Sequence, residues 1–151
     1  MVAGSVTFAS GNYFFPGPVT VSSGSTVSFG LGQYTFAQGL TVDSGASIVG
    51  NGVFFYFSSS SLNIATAGTN VQLTPLVTGP YAGLLAYQPV TDTSTMVLGG
   101  NTGTCLYGGA IEAPAPGATI DLGSTGDIFE AGALVAGSVV MGSSVTVTVG
   151  A

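Results

Sequence analysis

The sequence predicts an all-β fold, a right-handed parallel β-helix (β-solenoid) of about six to seven coils with no terminal cap, in a single domain over residues 1–151. Three observations predict it. A segment recurs every 21 to 23 residues, apolar and hydroxyl residues alternate inside each copy, and glycine separates the alternating segments. Parallel crossovers favour the right-handed winding.

The repeat is visible in both halves of the chain. Residues 11–15 (GNYFF) return as residues 32–36 (GQYTF), at an offset of 21. In the second half, residues 109–113 (GAIEA) return as residues 132–136 (GALVA), at an offset of 23. One copy cannot bury its own apolar face, so each copy is predicted to form one coil stacked on the next.

The short alternating segments predict half-buried strands. Val19-Thr20-Val21 shows the period-two pattern, and helical periodicity is not convincing anywhere. Glycine at the corners permits backbone conformations that other residues avoid. An antiparallel sandwich would share the alternation and the glycine turns, but the fixed repeat favours the solenoid.

Composition excludes several classes of function. Ordinary soluble proteins are about 25% charged, whereas this chain has six acids and no Lys, Arg or His. Phosphates cannot be neutralised, and no triad, Schiff base or histidine metal site can be built, so neither a nucleic-acid partner nor an enzyme is predicted. No apolar run approaches about 18 residues, so membrane insertion is not predicted either.

Cys105 has no nearby base and is predicted to be a buried, inert thiol, with an intermolecular bridge as the alternative.

The acidic residues offer the remaining chemistry. Asp121, Asp127 and Glu130 fall within ten residues, and their carboxylates could supply oxygen ligands to Ca²⁺. Their spacing matches no standard calcium loop, so an ordinary acidic turn is favoured, and no other cofactor is predicted. With Glu112, these residues are also candidates for a glycosidase pair on adjacent coils. The repeat aligns Glu112 with Val135, however, which predicts that Glu112 has no carboxylate partner there.

An aromatic run recurs in successive copies. Residues 54–57 (FFYF) align with Tyr34 and Phe36 and, one copy earlier, with Tyr13 and Phe15. These rings could form a carbohydrate-binding ladder on the surface. In-register coils place equivalent residues on top of one another, so a stacked core is favoured for alternate members. Segments rich in Ser and Thr could present hydroxyls to ice or carry sugars, although a solvated strand face is the favoured interpretation.

The first and last strands predict the mode of assembly. Val6 and Phe8 near the start, and Val145, Val147 and Val149 near the end, alternate with hydroxyl residues. Neither segment contains the Lys or Pro that often blocks edge pairing. These five residues are therefore the predicted subunit interface, and a head-to-tail contact that does not close into a ring produces an open filament.

Five glycine-aliphatic stretches follow one another along the chain: residues 32–36 (GQYTF), 39–42 (GLTV), 50–53 (GNGV), 79–88 (GPYAGLLAYQ) and 109–114 (GAIEAP). In this order they resemble the β-helical C-terminal domain of secreted, pilus-associated proteins of the tight-adherence (Tad) type. The resemblance covers roughly residues 30 to 147. It implies a surface location and no catalytic residues. The chain departs from the family pattern in lacking a membrane-anchoring N-terminal helix and any basic residue, which favours a free, secreted subunit.

These features predict a structural, non-enzymatic protein, secreted and extracellular or on a cell surface, that assembles with itself into a filament. The alternative is a monomeric, surface-displayed adhesin, a β-helix module that binds surface glycans or ice. The two predictions differ in where the functional surface lies. A filament uses the two ends of the solenoid, whereas a binding module uses an outward face.

Overall fold

The predicted repeat folds as a solenoid of parallel strands in the computed structural model of the chain. The structure describes residues 1–64, 69–99, 104–123, 128–142 and 145–150, with residues 104 and 128–130 described by their backbone alone. Within these ranges all sixteen strands pair in parallel, no helix is present, and about six turns stack along one axis. The predicted all-β solenoid is therefore confirmed.

The strands form three faces that run along the solenoid axis. Face 1 consists of β1 (Ser5–Phe8), β4 (Thr26–Phe29), the first part of β7 (Ser47–Phe57), β9 (Asn70–Pro75), the first parts of β12 (Thr104–Ala113) and β14 (Ile128–Ala136), and β16 (Thr146–Val149). Face 2 consists of β2 (Tyr13–Phe15), β5 (Gly32–Phe36), β10 (Leu84–Tyr87) and the second parts of β7, β12 and β14. Face 3 consists of β3 (Val19–Val21), β6 (Leu40–Val42), β8 (Leu62–Ile64), β11 (Met96–Val97), β13 (Thr119–Asp121) and β15 (Ser138–Val140).

The strand register reproduces the sequence repeat at both ends of the chain. Tyr13 pairs with Tyr34, and Glu112 pairs with Val135 as predicted. The repeat is interrupted in the middle, where Gln72 pairs with Leu106, 34 positions later. The difference arises because this coil contains two connections, residues 76–83 and residues 88–95, that are longer than their counterparts in the first coils.

In-register stacking builds the core from columns of like side chains. The rings of Tyr13 and Tyr34 lie 5.1 Å apart at 7°. Phe15, Phe36 and Phe57 stack in the same way, at 5.1 and 5.3 Å between centroids. These distances are close to the ~4.8 Å between neighbouring strands, so each ring contacts its equivalent in the next coil. The prediction that alternate aromatic residues form a stacked core is confirmed.

One buried amide organises the corner after β10. Gln88 is fully buried, and its Nε2 donates to the carbonyl oxygens of Asp92 at 2.9 Å and Ser94 at 2.8 Å. Asp92 Oδ1 in turn accepts from the backbone N–H of Ser94 at 2.9 Å and from its hydroxyl at 2.6 Å. These bonds pair polar groups that burial would otherwise leave unsatisfied, and they fix the path from face 2 to face 3.

Gly32 marks a point where two coils come unusually close. A Cβ atom added at Gly32 would lie 1.8 Å from the carbonyl oxygen of Gly11 in the coil below. The obstructing atom is backbone, which cannot rotate away as a side chain could. Only glycine fits at this corner without separating the first two coils.

We expect Gly32→Ala to destabilise the fold by about 3 kcal/mol or more, because the methyl group forces these coils apart. Gly17→Ala is the matched control, since a Cβ atom there meets nothing within 4 Å. The control should change the free energy of unfolding by about 0.5 kcal/mol or less. Urea unfolding followed by circular dichroism measures both, and similar values for the two variants would contradict the close-approach argument.

Burial also perturbs Tyr34, whose hydroxyl donates to the carbonyl oxygen of Gly30 at 2.8 Å. Desolvation and then the neighbouring Tyr13 raise the pKa of Tyr34 to about 12, against a smaller lowering by the bond to Gly30. Between about pH 10 and this value, the unfolded chain loses the Tyr34 proton while the folded chain keeps it. The stabilisation that Tyr34 contributes through its raised pKa is therefore fully present below about pH 10, and it is lost as the pH rises toward 12.

Tyr34→Phe should therefore reduce the loss of folding stability at alkaline pH. The variant loses the bond to Gly30, so we expect it to be less stable than the wild type by about 1 kcal/mol at pH 8. The gap should narrow as the pH rises above about 10, because phenylalanine has no proton to lose. Urea unfolding at pH 8, 10 and 11 tests this, and a gap that stays constant or widens would refute it.

Candidate functional site

The outward side of face 2 carries a second set of aromatic residues. In β7, Phe55 and Phe57 point into the core, so the alternating side chains of Phe54 and Tyr56 point outward. Tyr56 pairs with Tyr87 of β10, which pairs with Glu112 of β12. The outward row therefore runs through two tyrosines to a carboxylate.

The connection between β9 and β10 folds over this row. Its ends are closed by a hydrogen bond from Gly83 N–H to the Leu76 carbonyl oxygen at 2.8 Å. The loop carries Tyr81, whose ring stacks on Phe54 with centroids 4.3 Å apart and planes at 15°. Phe54 is only 2% exposed as a result, although its side chain points away from the core.

These elements enclose an open pocket of about 440 Å³, which we call the aromatic pocket. Its volume lies within the range of about 300 to 1,000 Å³ that is typical of small-molecule sites. The lining residues are Gln33, Phe54, Tyr56, Tyr81, Leu84, Tyr87 and Glu112. The rings of Tyr56 and Tyr87 are nearly parallel, at 14° with centroids 6.0 Å apart. The pocket thus combines aromatic walls with one amide and one carboxylate.

The tyrosine hydroxyls of the pocket differ from those of the core. Tyr13 and Tyr34 donate to backbone carbonyl oxygens at 2.9 and 2.8 Å. Among the described residues, the hydroxyls of Tyr56, Tyr81 and Tyr87 make no hydrogen bond to the protein. They are therefore available to solvent or to a ligand.

The structure separates two of the candidate catalytic acids, Glu112 and Asp121. Glu112 lies on face 2, whereas Asp121 lies in β13 on face 3. Two acids on different faces cannot flank one glycosidic bond as a glycosidase requires. Asp127 and the side chain of Glu130 lie outside the described residues.

The structure tests the proposed calcium ligands only in part, because Asp127 and the side chain of Glu130 lie outside the described residues. Asp121 Oδ1 accepts a hydrogen bond from the backbone N–H of Gly123 at 3.0 Å, which is the geometry of an ordinary acidic turn. No group of three or more His, Cys, Asp or Glu side chains that could hold a metal ion occurs in the described part of the chain. Calcium binding through Asp121, Asp127 and Glu130 stays a prediction.

The predicted interface residues lie at the two ends of the solenoid. Val6 and Phe8 belong to β1 and are half-buried, pointing inward. Val147 and Val149 belong to β16, the last strand of face 1, and Val145 precedes it. Val149 is 53% exposed, while Val145 and Val147 pack partly against the core.

Two further features bear on surfaces and partners. Cys105 is buried on the inward side of β12, which agrees with the predicted burial of this thiol, and its low reactivity stays a prediction. The described ranges contain no helix with the length and hydrophobicity needed to cross a membrane.

No protein-family model, no curated protein and no solved structure matches this chain. The resemblance to Tad-type proteins therefore stays a prediction. Sequence reasoning identified the aromatic run but missed the contributions of Tyr81, Tyr87 and Gln33. The signal that could have indicated Tyr81 and Tyr87 is the break in the repeat around residues 76–95, where extra residues are inserted. Gln33 lies in β5, within the regular repeat, where no such signal exists.

Proposed function

We propose that the chain is a structural subunit that stacks head to tail into a filament, outside the cell or at its surface. The main support is the position of the apolar core residues that remain partly exposed. Partly buried apolar residues packed on the core lie in the first and last coils. They are Val2, Phe8, Tyr13, Phe15 and Val19 at one end, and Leu134, Ala136, Val145 and Val147 at the other.

The two end strands of face 1 match in pattern. Val6 pairs with Val27 and Phe8 with Phe29, and Val147 and Val149 occupy the equivalent inward positions in β16. Stacking β16 of one copy against β1 of the next would place Val147 on Val6 and Val149 on Phe8. The hydroxyl residues between them would then point outward on both strands. The inward columns of face 1 would continue from copy to copy without interruption.

Face 3 can continue in the same way. Its described strands end with β15, and Val2 forms a parallel bridge to Val21 of β3 at the opposite end. Val139, in β15, is 43% exposed at a position that aligns with buried Ile120. Pairing β15 with the segment around Val2 of the next copy would cover it. Face 2 contributes no pair at this junction, because β14 and β2 would then be two layers apart.

Electrostatics offers little resistance to this contact. The strands β1 and β16 contain no charged residue, and the whole chain carries a net charge of −6. No like charges of these two strands therefore face each other across the contact, and the acids of the chain lie outside both strands. Pairing would satisfy edge N–H and C=O groups and would bury apolar surface, the two contributions that drive strand addition. The proposed role is mechanical, as an adhesive fibre, sheath, matrix or spacer.

The layer count predicts the axial repeat of the filament. In the described part of the chain, face 1 contains seven strands, counting both β1 and β16. At ~4.8 Å per layer, each subunit should add about 34 Å of length. Electron microscopy of the purified 151-residue chain at micromolar concentration should show fibres with this repeat. Monodisperse single particles would refute the proposal.

A charge placed inside the junction should abolish assembly. Val147→Asp introduces an inward carboxylate that stacking would bury without a partner, so fibres should be lost. Thr148→Asp is the matched control, because it adds the same charge one residue later on the outward side of β16. The control should still assemble. Circular dichroism should show both variants folded, and fibres of unchanged repeat from Val147→Asp would contradict the junction.

A further inference from the structure

The aromatic pocket requires an explanation that end-to-end stacking does not supply. It lies on the outward side of face 2, the face that contributes no strand pair to the proposed junction. Its residues come from four coils, with Gln33 in β5, Tyr56 in β7, Tyr87 in β10 and Glu112 in β12. Whatever this surface does is independent of filament formation.

The fold departs from its own repeat to build the pocket. Between faces 1 and 2, the first coil uses four connecting residues and the second uses two, whereas the coil of β9 and β10 uses residues 76–83. The additional residues are not needed to turn the corner. They bring Tyr81 over Phe54 and so raise one wall of the pocket. Insertions in repeat proteins often concentrate on the face that binds a ligand.

The pocket chemistry suits a sugar. Apolar C–H faces of a pyranose ring can pack against aromatic rings, and here Tyr56, Tyr81 and Tyr87 supply that surface. The polar edges of a sugar need donors and acceptors. The unpaired tyrosine hydroxyls, the amide of Gln33 and the carboxylate of Glu112 provide both.

Charge selects among the sugars. Cationic side chains make the strongest hydrogen bonds to the anionic groups of acidic glycans, and this chain has no Lys, Arg or His anywhere in its sequence. Among the described residues, Glu112 alone brings a charge to the lining of the pocket, and its carboxylate repels an anionic sugar and accepts strongly from hydroxyl groups. We infer that the aromatic pocket binds a neutral, hydroxyl-rich polysaccharide and discriminates against acidic ones.

Native gel electrophoresis tests this inference with soluble polysaccharides cast into the gel. Hydroxyethyl cellulose and galactomannan serve as neutral probes, and polygalacturonate serves as the acidic probe. All measurements use the Val147→Asp chain, which is expected not to form filaments. Filament formation, or its failure, therefore does not affect the mobility of the protein in the gel. At least one neutral probe should retard the protein, whereas polygalacturonate should not.

Variants locate the binding surface. Tyr87→Ala and Tyr56→Ala should each weaken binding to the neutral probe by about tenfold or more, because each removes an aromatic wall. Phe14→Ala is the matched control. Phe14 is an outward aromatic residue of face 2, is 65% exposed, and lies outside the pocket. Its removal should change binding by less than about twofold.

Glu112→Gln tests the role of charge. The amide accepts hydrogen bonds less strongly than the carboxylate, so neutral binding should weaken by about threefold to tenfold. Circular dichroism of each variant checks that it is folded. The inference is overturned if neither neutral probe retards the protein, if polygalacturonate retards it equally, or if Phe14→Ala weakens binding as much as Tyr87→Ala does.

Discussion

Parallel pairing in register, coil upon coil, is the constraint on which the rest of this structure depends. Each inward side chain must fit against its equivalent in the coils above and below. Tyr13 therefore stacks on Tyr34, and Phe15 on Phe36, at almost the spacing of the strands themselves. The same constraint acts on the backbone at the corners, where Gly32 lies against Gly11 with no room for a methyl group. Dispersion between like side chains and hydrogen bonds between strands then reinforce each other along one axis.

This arrangement leaves only two kinds of surface for function. Each inward side chain packs against its equivalents in the coils above and below, except in the first and last coils. Outward side chains lie outside these core columns, although some of them contact the next coil, as Thr74 does when its hydroxyl donates to Asn51 Oδ1 at 2.7 Å. The half-buried Phe8 and Val147 belong to the first kind of surface, and Tyr56 and Glu112 belong to the second. The end contact and the pocket can therefore be changed independently by mutation.

Much of the fold could be predicted from the sequence because the constraint is periodic. The repeat predicts which residues stack, and the pairing of Glu112 with Val135 follows directly from it. The pocket could not be predicted, because it depends on residues that leave the repeat. Tyr81 contacts Phe54 through a loop whose path is set by its own turn hydrogen bonds. Alternation also leaves open which of two neighbouring rings, Phe54 or Phe55, faces the core until the corners are known.

The absence of basic residues gives both proposed surfaces a common physical character. Without Lys, Arg or His side chains, this chain recognises a partner through strand edges, aliphatic and aromatic side chains, hydroxyls, amides and carboxylates. Those groups suit a second copy of the chain and a neutral polysaccharide, and neither partner requires a cation. If the subunits stack as proposed, each one presents an aromatic pocket on face 2, and successive pockets follow the filament at about 34 Å. A polysaccharide chain long enough to reach several pockets would then bind with far greater avidity than a single pocket allows. Modest affinity at each pocket would therefore suffice for firm attachment of the fibre.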